Sequence, residues 1–306
     1  MALHIATPLI ESASLSQAAG RSVLLKLEAL QPCGSFKLRG VGLACEHYAR
    51  LGAKRLVSSS GGNAGLAVAY AGRQLGLPVA VVVPATTSER AKELLRQEGA
   101  EVTVHGASWF DTNTLAQDML TGTDAFIHPF DNPLLWTGHA SMIDEVAATG
   151  HKPDAVVLSV GGGGLLAGVM EGLARNGWAD VPVIAVETHG AASLHAAMQA
   201  RARVTLGAIT SIATSLGARQ VCEQAFALSQ TGLVHSVLVS DQDAVAACSR
   251  FLDDHRLLVE PACGAALAAV YGNVPALAAF NKVLVIVCGG ATATADNLQQ
   301  WTRLLA

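Results

Sequence analysis

Short apolar segments rich in valine recur along this chain and alternate with longer alanine- and leucine-rich segments of helical spacing. This alternation constrains the fold most, because it is typical of parallel strands in a sheet that helices cover on both faces. The predicted strands are Val23–Leu27, Arg55–Ser58, Val79–Val83, Glu101–His105, Ala125–Ile127, Ala155–Val160, Val183–Glu187, Val234–Val239 and Val283–Val287. They are too many for one small sheet. The sequence therefore predicts an α/β protein with two domains, each an open, mostly parallel twisted sheet flanked by helices.

Composition excludes several classes of function. The net charge is −4 and no run of like charges occurs, which argues against nucleic acid or an anionic membrane surface as a partner. The six cysteines form no Cys-x-x-Cys pair, so the sequence indicates neither a disulfide framework nor a zinc cluster, and we expect a cytoplasmic protein. Between Glu260 and Lys282 a charge-free run is interrupted by glycine, asparagine and proline, which predicts a buried helix and a turn instead of a membrane span.

The stretch Gly34–Gly40 contains the first candidate for chemistry. Lys37 stands between Phe36 and Leu38, with glycines three residues to either side, which suits a pocket better than solvent. A partly desolvated lysine amine can become neutral and form an imine with a carbonyl compound such as pyridoxal phosphate. Taken alone, the stretch also fits an ordinary lysine that opens a helix after a turn.

Ligands of open α/β sheets bind where strands end, so the loops that leave strands are informative. The stretch Ser58–Gly65 carries serines, glycines and Asn63 ahead of a helix, where free N–H groups and the helix dipole favour a carboxylate. Asn63 could in addition bond a ring hydroxyl. The alternative for this loop is an ordinary helix cap with permissive glycines.

Two further loops follow predicted strands. Four glycines, 161–164, let the backbone close around a phosphate, but they also fit a dinucleotide fingerprint, with Glu187 about 20 residues later as a ribose-binding acid. A nicotinamide-dependent dehydrogenase is therefore an alternative. The third loop, Val285–Gly290, places Cys288 at a strand exit, where it could face a pyridine nitrogen or be a small buried hydrophobe.

Several motifs in order resemble one family over nearly the whole chain. They are Gln31-Pro32, Gly34–Gly40, Ser59–Gly65, Val83-Pro84, Gly138–Ser141, Ser159–Leu166, Glu187-Thr188, Leu257–Val270 and Val285–Gly290. Together they are similar to the serine and threonine dehydratases of the second pyridoxal phosphate fold type, in particular the L-serine dehydratase and dehydratase-like branch. This resemblance implies a large cofactor-binding domain at residues 1–38 plus 135–306 and a small domain at 39–134.

The resemblance also implies roles for individual residues. Lys37 would anchor the cofactor through a Schiff base and remove the α-proton of the substrate, Phe36 would pack against the ring, and Asn63 would bond the ring hydroxyl. The phosphate would be held by Gly161, Gly162, Gly163, Gly164 and Leu165, the pyridine nitrogen would face Cys288, and the substrate carboxylate would bind Ser60, Gly61, Gly62 and Asn63. A monovalent cation such as K⁺ would bind Glu187 and the carbonyls of Gly161, Ala191, Leu216 and Ala218.

The implied reaction is the deamination of L-serine and L-threonine to a 2-oxo acid and ammonia by α,β-elimination of water, in a homodimer. Gly61 replaces the alanine of many serine dehydratases, which implies a substrate pocket larger by one methyl group, and Ser215 replaces a small apolar residue beside the cofactor. We expect both substrates to be used, since one methylene discriminates by only about 1–3 kcal/mol. Serine racemization, β-replacement and a non-catalytic binding protein on the same scaffold are the further alternatives.

Overall fold

A computed structural model of the protein describes residues 2–305. Its strands are β1 Leu9–Glu11, β2 Ser22–Lys26, β3 Arg55–Ser58, β4 Val79–Val83, β5 Glu101–Val104, β6 Asp124–Phe126, β7 Ala155–Ser159, β8 Val183–Thr188, β9 Val234–Val239 and β10 Lys282–Ile286. All of the predicted strands are present, with ends that differ by one residue at most. The sequence analysis missed β1, a short edge strand whose residues are largely exposed.

The helices lie between the strands and on the faces of the two sheets. They are α1 Ala13–Ala19, α2 Lys37–Arg50, α3 Asn63–Leu75, α4 Glu89–Gln97, α5 Trp109–Asp118, α6 Pro133–Ala148, α7 Gly164–Arg175, α8 Ser193–Ala200, α9 Glu223–Ser229, α10 Asp241–His255, α11 Pro261–Tyr271 and α12 Ala295–Leu305. Short 3₁₀ helices occur at Glu28–Leu30, Thr214–Leu216 and Pro275–Leu277. Alternation of strand and helix is thus maintained along most of the chain.

The larger sheet has six strands in the order β1-β2-β10-β7-β8-β9. All neighbours in it are parallel except β1, which pairs antiparallel with β2. The central strands β7, β8 and β10 are almost entirely buried and consist mainly of valine, leucine, isoleucine and alanine, as a sheet covered on both faces requires. The mostly parallel strands and the helices that flank the sheets confirm the predicted α/β class.

The smaller sheet has four parallel strands in the order β5-β4-β3-β6. Its strands all come from the segment 55–126, between the parts of the chain that build the larger sheet. The division at residues 38/39 and 134/135 stays a prediction, and α2 continues across the first of these positions while packing on both α3 and α6.

The parallel strands direct their carboxyl ends, and therefore their following loops, to positions where the two sheets can meet. The exits of β3, β7 and β10 lead into the predicted loops at 59–63, 160–164 and 287–290. The apolar run after Glu260 forms α11, which is buried and is followed by a turn, as predicted. Within residues 2–305, no helix combines the length and the apolar character needed to cross a membrane.

Candidate active site

Lys37 is the first residue of α2, and it lies at the centre of the candidate site. Its Nζ donates a hydrogen bond to the carbonyl oxygen of Pro129 at 2.6 Å, and it lies 5.2 Å from the centre of the Phe36 ring. Burial lowers the pKa of Lys37 from 10.5 to about 8, although Cys288, Glu260 and Cys222 raise it in part. A usable fraction of the amine is therefore neutral near pH 7, which is what nucleophilic or basic chemistry needs.

Backbone pairing joins the lysine loop to the end of β10. The Phe36 N–H donates to the carbonyl of Cys288 at 3.0 Å, and the Gly290 N–H donates to the carbonyl of Gly34 at 3.0 Å. Ser35 and Gly289 form an antiparallel bridge between these hydrogen bonds. Two segments far apart in sequence thus form one small ladder, which fixes Lys37 relative to Cys288.

The loop after β3 ends at α3, whose first residue is Asn63. Ser60, Gly61 and Gly62 are partly exposed, and Gly62 is an N-cap without a side-chain hydrogen bond. Within residues 2–305, the N–H groups of Gly61 and Asn63 have no acceptor. The positive end of α3 therefore presents unpaired donors, as the predicted carboxylate site requires.

The Asn63 side chain connects the two sheets through a carboxyl group that the sequence analysis missed. Its Nδ2 donates to Glu260 Oε1 at 2.8 Å and lies 3.5 Å from Ser215 Oγ, while its Oδ1 accepts the Ala291 N–H at 3.0 Å. Burial raises the pKa of Glu260 to about 7, and hydrogen bonds with Ser215 and Asn63 act in the opposite direction. The available signal was a lone acid directly before Pro261 in an apolar segment.

The four-glycine loop after β7 has the donors that a phosphate needs. Gly162, Gly163 and Gly164 and the following Leu165 have backbone N–H groups without an acceptor in the described part of the chain. A side chain at position 162 would collide with the Phe130 ring, since a Cβ there would lie 2.3 Å from it. The close approach of Phe130, as well as an anion, therefore requires glycine at position 162.

Phe130 belongs to a turn that forms one side of the site. His128 Nδ1 accepts the N–H groups of Phe130 and Asp131, and the rings of His128 and Phe130 lie 4.7 Å apart. Burial and the nearby Lys37 lower the pKa of His128 to about 4, so this ring is neutral at pH 7. Pro129, between them, supplies the carbonyl that Lys37 contacts. The sequence analysis did not predict the contacts of this turn with the site.

Cys288 is buried at the exit of β10, with 7% of its surface exposed. A hydrogen bond with the Cys263 thiol, together with burial, raises the pKa of Cys288 above its ordinary value. The group is therefore a neutral thiol at physiological pH. It can interact with a ring nitrogen without supplying a negative charge.

Glu187, predicted as a cation ligand, is completely buried at the end of β8. Its two carboxyl oxygens accept the N–H groups of Leu194 and His195 at 2.8 and 2.7 Å, at the start of α8. Burial raises the pKa of Glu187 to about 7. Near it, Ser193 Oγ lies 3.4 Å from the Gly161 carbonyl, so the end of β8, the start of α8 and the four-glycine loop are neighbours.

The other predicted cation ligands lie around the same loops. A Cβ at Gly161 would be 3.0 Å from Leu216 Cα, Ala191 bridges to Thr188, and the Ala218 N–H donates to the Leu216 carbonyl. The fold thus brings Gly161 and Leu216 together.

One inference about the pocket was wrong. The absence of a methyl group at Gly61 does not enlarge an open substrate pocket, because Thr87 fills the space concerned. A Cβ at position 61 would lie 2.7 Å from Thr87 Cγ2 and 3.1 Å from Val83 Cγ1. A side chain at position 61 would therefore point toward Thr87 and Val83 of the smaller sheet's own domain. Ser215, in contrast, does lie beside Asn63.

These residues fit pyridoxal phosphate. The four-glycine loop offers consecutive unpaired N–H groups for a phosphate, the Lys37 amine has a lowered pKa for a covalent bond to the carbonyl carbon, and Cys288 is a neutral thiol. Asn63 has both a donor and an acceptor at the same site.

Similarity to known proteins agrees with this fit. Residues 2–289 match the family described as "Pyridoxal-phosphate dependent enzyme". The protein named "Serine dehydratase-like" from Homo sapiens is 49% identical, with 97% of this chain and 93% of that protein covered. "L-serine dehydratase/L-threonine deaminase" from Homo sapiens is 48% identical, with 97% and 94% covered.

Among solved structures, a fungal L-serine ammonia-lyase from Rhizomucor miehei has a TM-score of 0.94 and 35% identity, with 99% of each chain covered. Nearly the whole chain is thus similar to these proteins in sequence and in fold. This chain belongs to the family of pyridoxal-phosphate-dependent enzymes.

Proposed function

We propose that the protein deaminates L-serine to pyruvate and L-threonine to 2-oxobutanoate, with release of ammonia, by α,β-elimination of water. The observation that carries the proposal is the buried amine of Lys37, which bonds the Pro129 carbonyl and has a lowered pKa. Its titratable neighbours are Cys288 at the β10 exit, Glu260, which bonds Asn63, and Cys222, whose N–H donates to the Gly162 carbonyl. The names and high identities of the relatives support this choice of reaction.

Each part of the site has a task in this reaction. When bound, pyridoxal phosphate supplies a carbonyl group for the substrate amine and a ring that accepts electron density from the α-carbon. Lys37 Nζ, once free, removes the α-proton, because its pKa of about 8 keeps part of the amine neutral. The start of α3 orients the substrate through its carboxylate.

The cofactor contacts follow from the same arrangement. We assign the covalent bond to Lys37, one ring face to Phe36, the ring hydroxyl to Asn63 and the ring nitrogen to Cys288. The phosphate is assigned to the N–H groups of residues 161–165, and the substrate carboxylate to residues 60–63. Glu260 supports Asn63 in its orientation, since it accepts one of the Nδ2 hydrogens.

Product analysis tests the proposed reaction. Purified protein should absorb visible light because it contains bound cofactor. After incubation with L-serine it should release pyruvate and ammonia in equal amounts. L-Threonine should give 2-oxobutanoate. A wild-type protein that stays colourless after incubation with pyridoxal phosphate would contradict the proposal.

Other reactions on the same fold are separated by their products. Serine racemization would give D-serine in excess of pyruvate, β-replacement would give a thiol product with added sulfide, and a non-catalytic protein would bind cofactor without ammonia release. The dehydrogenase alternative is set aside, because the chain belongs to another cofactor family.

A monovalent cation at Glu187, a homodimer and a cytoplasmic location complete the proposal. The buried Glu187 carboxyl lacks a positive partner within residues 2–305, which supports a bound cation such as K⁺. All six cysteines are free and buried, which supports a reducing compartment. Replacing K⁺ by the bulky tetramethylammonium ion should lower both turnover and melting temperature, and equal values would contradict a bound cation. Analytical ultracentrifugation tests the dimer.

A further inference from the structure

The first turn of α2 is capped in an unusual way. In α3, the Leu66 N–H donates to the carbonyl of the N-cap residue Gly62 at 3.0 Å. The equivalent N–H in α2 belongs to Gly40, and it donates instead to Nδ1 of His139, at 3.2 Å. Phe36, the N-cap residue of α2, contributes no side-chain hydrogen bond. The Leu38 and Arg39 N–H groups donate to the carbonyls of Ser35 and Phe36. The Gly40 N–H, in contrast, has its acceptor on α6.

His139 is held firmly in this position. It is completely buried, and its ring centre lies 4.8 Å from that of Phe36, the residue before Lys37. Neighbouring helices leave space for the ring only because they have glycines here: a Cβ at Gly40 would lie 2.7 Å from His139 Cε1, and one at Gly168 would lie 2.4 Å from His139 Cβ. The imidazole thus has little freedom to turn away from Gly40.

The ring must be neutral to act as an acceptor. Burial, with the positive charges of Lys37 and Arg39 and the nearby His4, lowers the pKa of His139 well below 6.5. Since Nδ1 accepts the Gly40 N–H, the proton resides on Nε2, which has no partner within residues 2–305. A buried N–H donor without a partner costs free energy. The hydrogen bond that Nδ1 accepts from the Gly40 N–H accounts for the orientation of the ring in spite of this cost.

We propose that His139 is a positioning residue that caps α2 from a neighbouring helix and thereby holds Lys37 and Phe36 in place for the reaction. The proposal rests on the function proposed for Lys37. It assigns to His139 no contact with substrate or cofactor. Its effect passes through the backbone of the first turn, of which Lys37 is the first residue.

Loss of the cap should change the amine of Lys37. A frayed first turn admits water, which relieves the burial that lowers the pKa of this amine. The other titratable groups around Lys37 are Cys222, Glu260 and Cys288, with His128 on the turn opposite. These groups remain unchanged when residue 139 is replaced, so a shift in reactivity reports the cap.

A matched pair of variants isolates the hydrogen bond. In His139→Asn, Oδ1 takes the place of Nδ1 and can accept the Gly40 N–H, whereas His139→Leu has a similar volume and no acceptor. Both remove the same packing against Phe36. For each full-length protein, the rate of pyridoxal phosphate uptake is measured against pH, together with the dissociation constant of the cofactor.

We expect His139→Leu to weaken cofactor binding by about fivefold to tenfold relative to His139→Asn, the usual effect of an N-cap. The pH midpoint of uptake should rise in the leucine variant, toward the ordinary value of a lysine. Equal midpoints and equal affinities in the two variants would overturn the proposal.

Nitrogen NMR of the wild-type protein keeps the proposal testable if the variants fail to fold. The His139 signals should show a neutral ring protonated at Nε2, with Nδ1 hydrogen-bonded. A ring protonated at Nδ1 would overturn the cap. If the wild-type protein takes up no cofactor, the proposed function fails, while the NMR result still decides the cap.

Discussion

Lys37 and Arg39 are two residues apart in the first turn of α2, yet they lie in opposite environments. Arg39 is completely buried, and its guanidinium donates to both oxygens of Glu28 at 2.7 and 2.8 Å and to both oxygens of Glu145 at 2.7 and 2.8 Å. Within residues 2–305, Lys37 Nζ makes a single hydrogen bond, to the neutral carbonyl of Pro129.

The outcome of burial differs accordingly. For Arg39, burial alone would lower the pKa, but the hydrogen bonds with Glu28 and Glu145 raise it above its ordinary value. For Lys37, desolvation prevails and the pKa falls to about 8. Burial therefore produces a permanent cation where carboxylates hydrogen-bond the charged group and a reactive amine where none does. The first turn of α2 therefore carries Arg39, which stabilises the fold, and Lys37, which is available for chemistry.

Replacing Lys37 should have the largest effect on activity and should leave the fold intact. We expect Lys37→Ala to lower turnover by more than about 10⁴-fold, because anchor and base are lost together. Exogenous methylamine should restore part of the rate. A variant that retains more than a few per cent of wild-type activity would contradict the assignment.

The stability of Lys37→Met tests the same residue through pH. The folded-state pKa, about 8, lies below the ordinary value of 10.5, so the unfolded chain binds the proton more tightly. Cofactor-free wild-type protein should gain stability relative to the methionine variant as the pH rises from 8 to 10.5. Urea unfolding of both proteins at several pH values measures this difference; a constant difference would contradict the lowered pKa.

Replacing Arg39 should damage the fold as well as the site. Arg39→Met leaves Glu28 buried without a counter-charge, so we expect a loss of about 3–5 kcal/mol in the free energy of unfolding. Arg39→Lys keeps the charge but loses the paired hydrogen bonds of the guanidinium. Its free energy of unfolding should therefore lie between those of the wild type and the methionine variant. Unfolding by urea gives both values. Wild-type stability in the methionine variant would show that the comparison with Lys37 is mistaken.

Glu260 extends the comparison to an acid on the Lys37 side. Its folded-state pKa of about 7 lies above the ordinary 4.5, so its favourable contribution is complete below pH 4.5 and is lost as the pH rises through 7. The free energy of unfolding of Glu260→Gln should therefore equal that of the wild type near pH 4.5 and exceed it by about 2 kcal/mol above pH 8. A melting-temperature series across this range tests it, and a difference independent of pH would contradict it.

Gly61 tests packing rather than charge on the Lys37 side, and the expected effect is the smallest. Gly61→Ala should lose about 1 kcal/mol of stability, because the new methyl group collides with Thr87. Thr87→Ala in the same chain should recover most of this loss. If the two substitutions destabilise additively, the methyl group points elsewhere, and the ratio of kcat/KM for L-serine and L-threonine becomes the informative measurement.

Local pattern was sufficient for much of the fold. Strands such as Val79–Val83 and Val234–Val239 were predicted with their observed ends, because a short β-branched apolar run carries its own signal. β1 was missed, since its three residues show neither burial nor a long enough pattern. One helix start also differs from the prediction: α3 begins at Asn63, inside the segment predicted as a loop.

The sequence by itself determined the two-sheet α/β architecture, the glycine loops at the strand exits and the lysine at the start of α2. Only the tertiary structure decided what those groups contact: Asn63 bonds Glu260, 197 residues away, Lys37 bonds Pro129, 92 residues away, and Thr87 occupies the space beside Gly61. Strand and helix patterns arise from neighbours along the chain, so they can be read locally. The polarity of a buried amine or carboxyl depends on partners that folding brings together from distant segments.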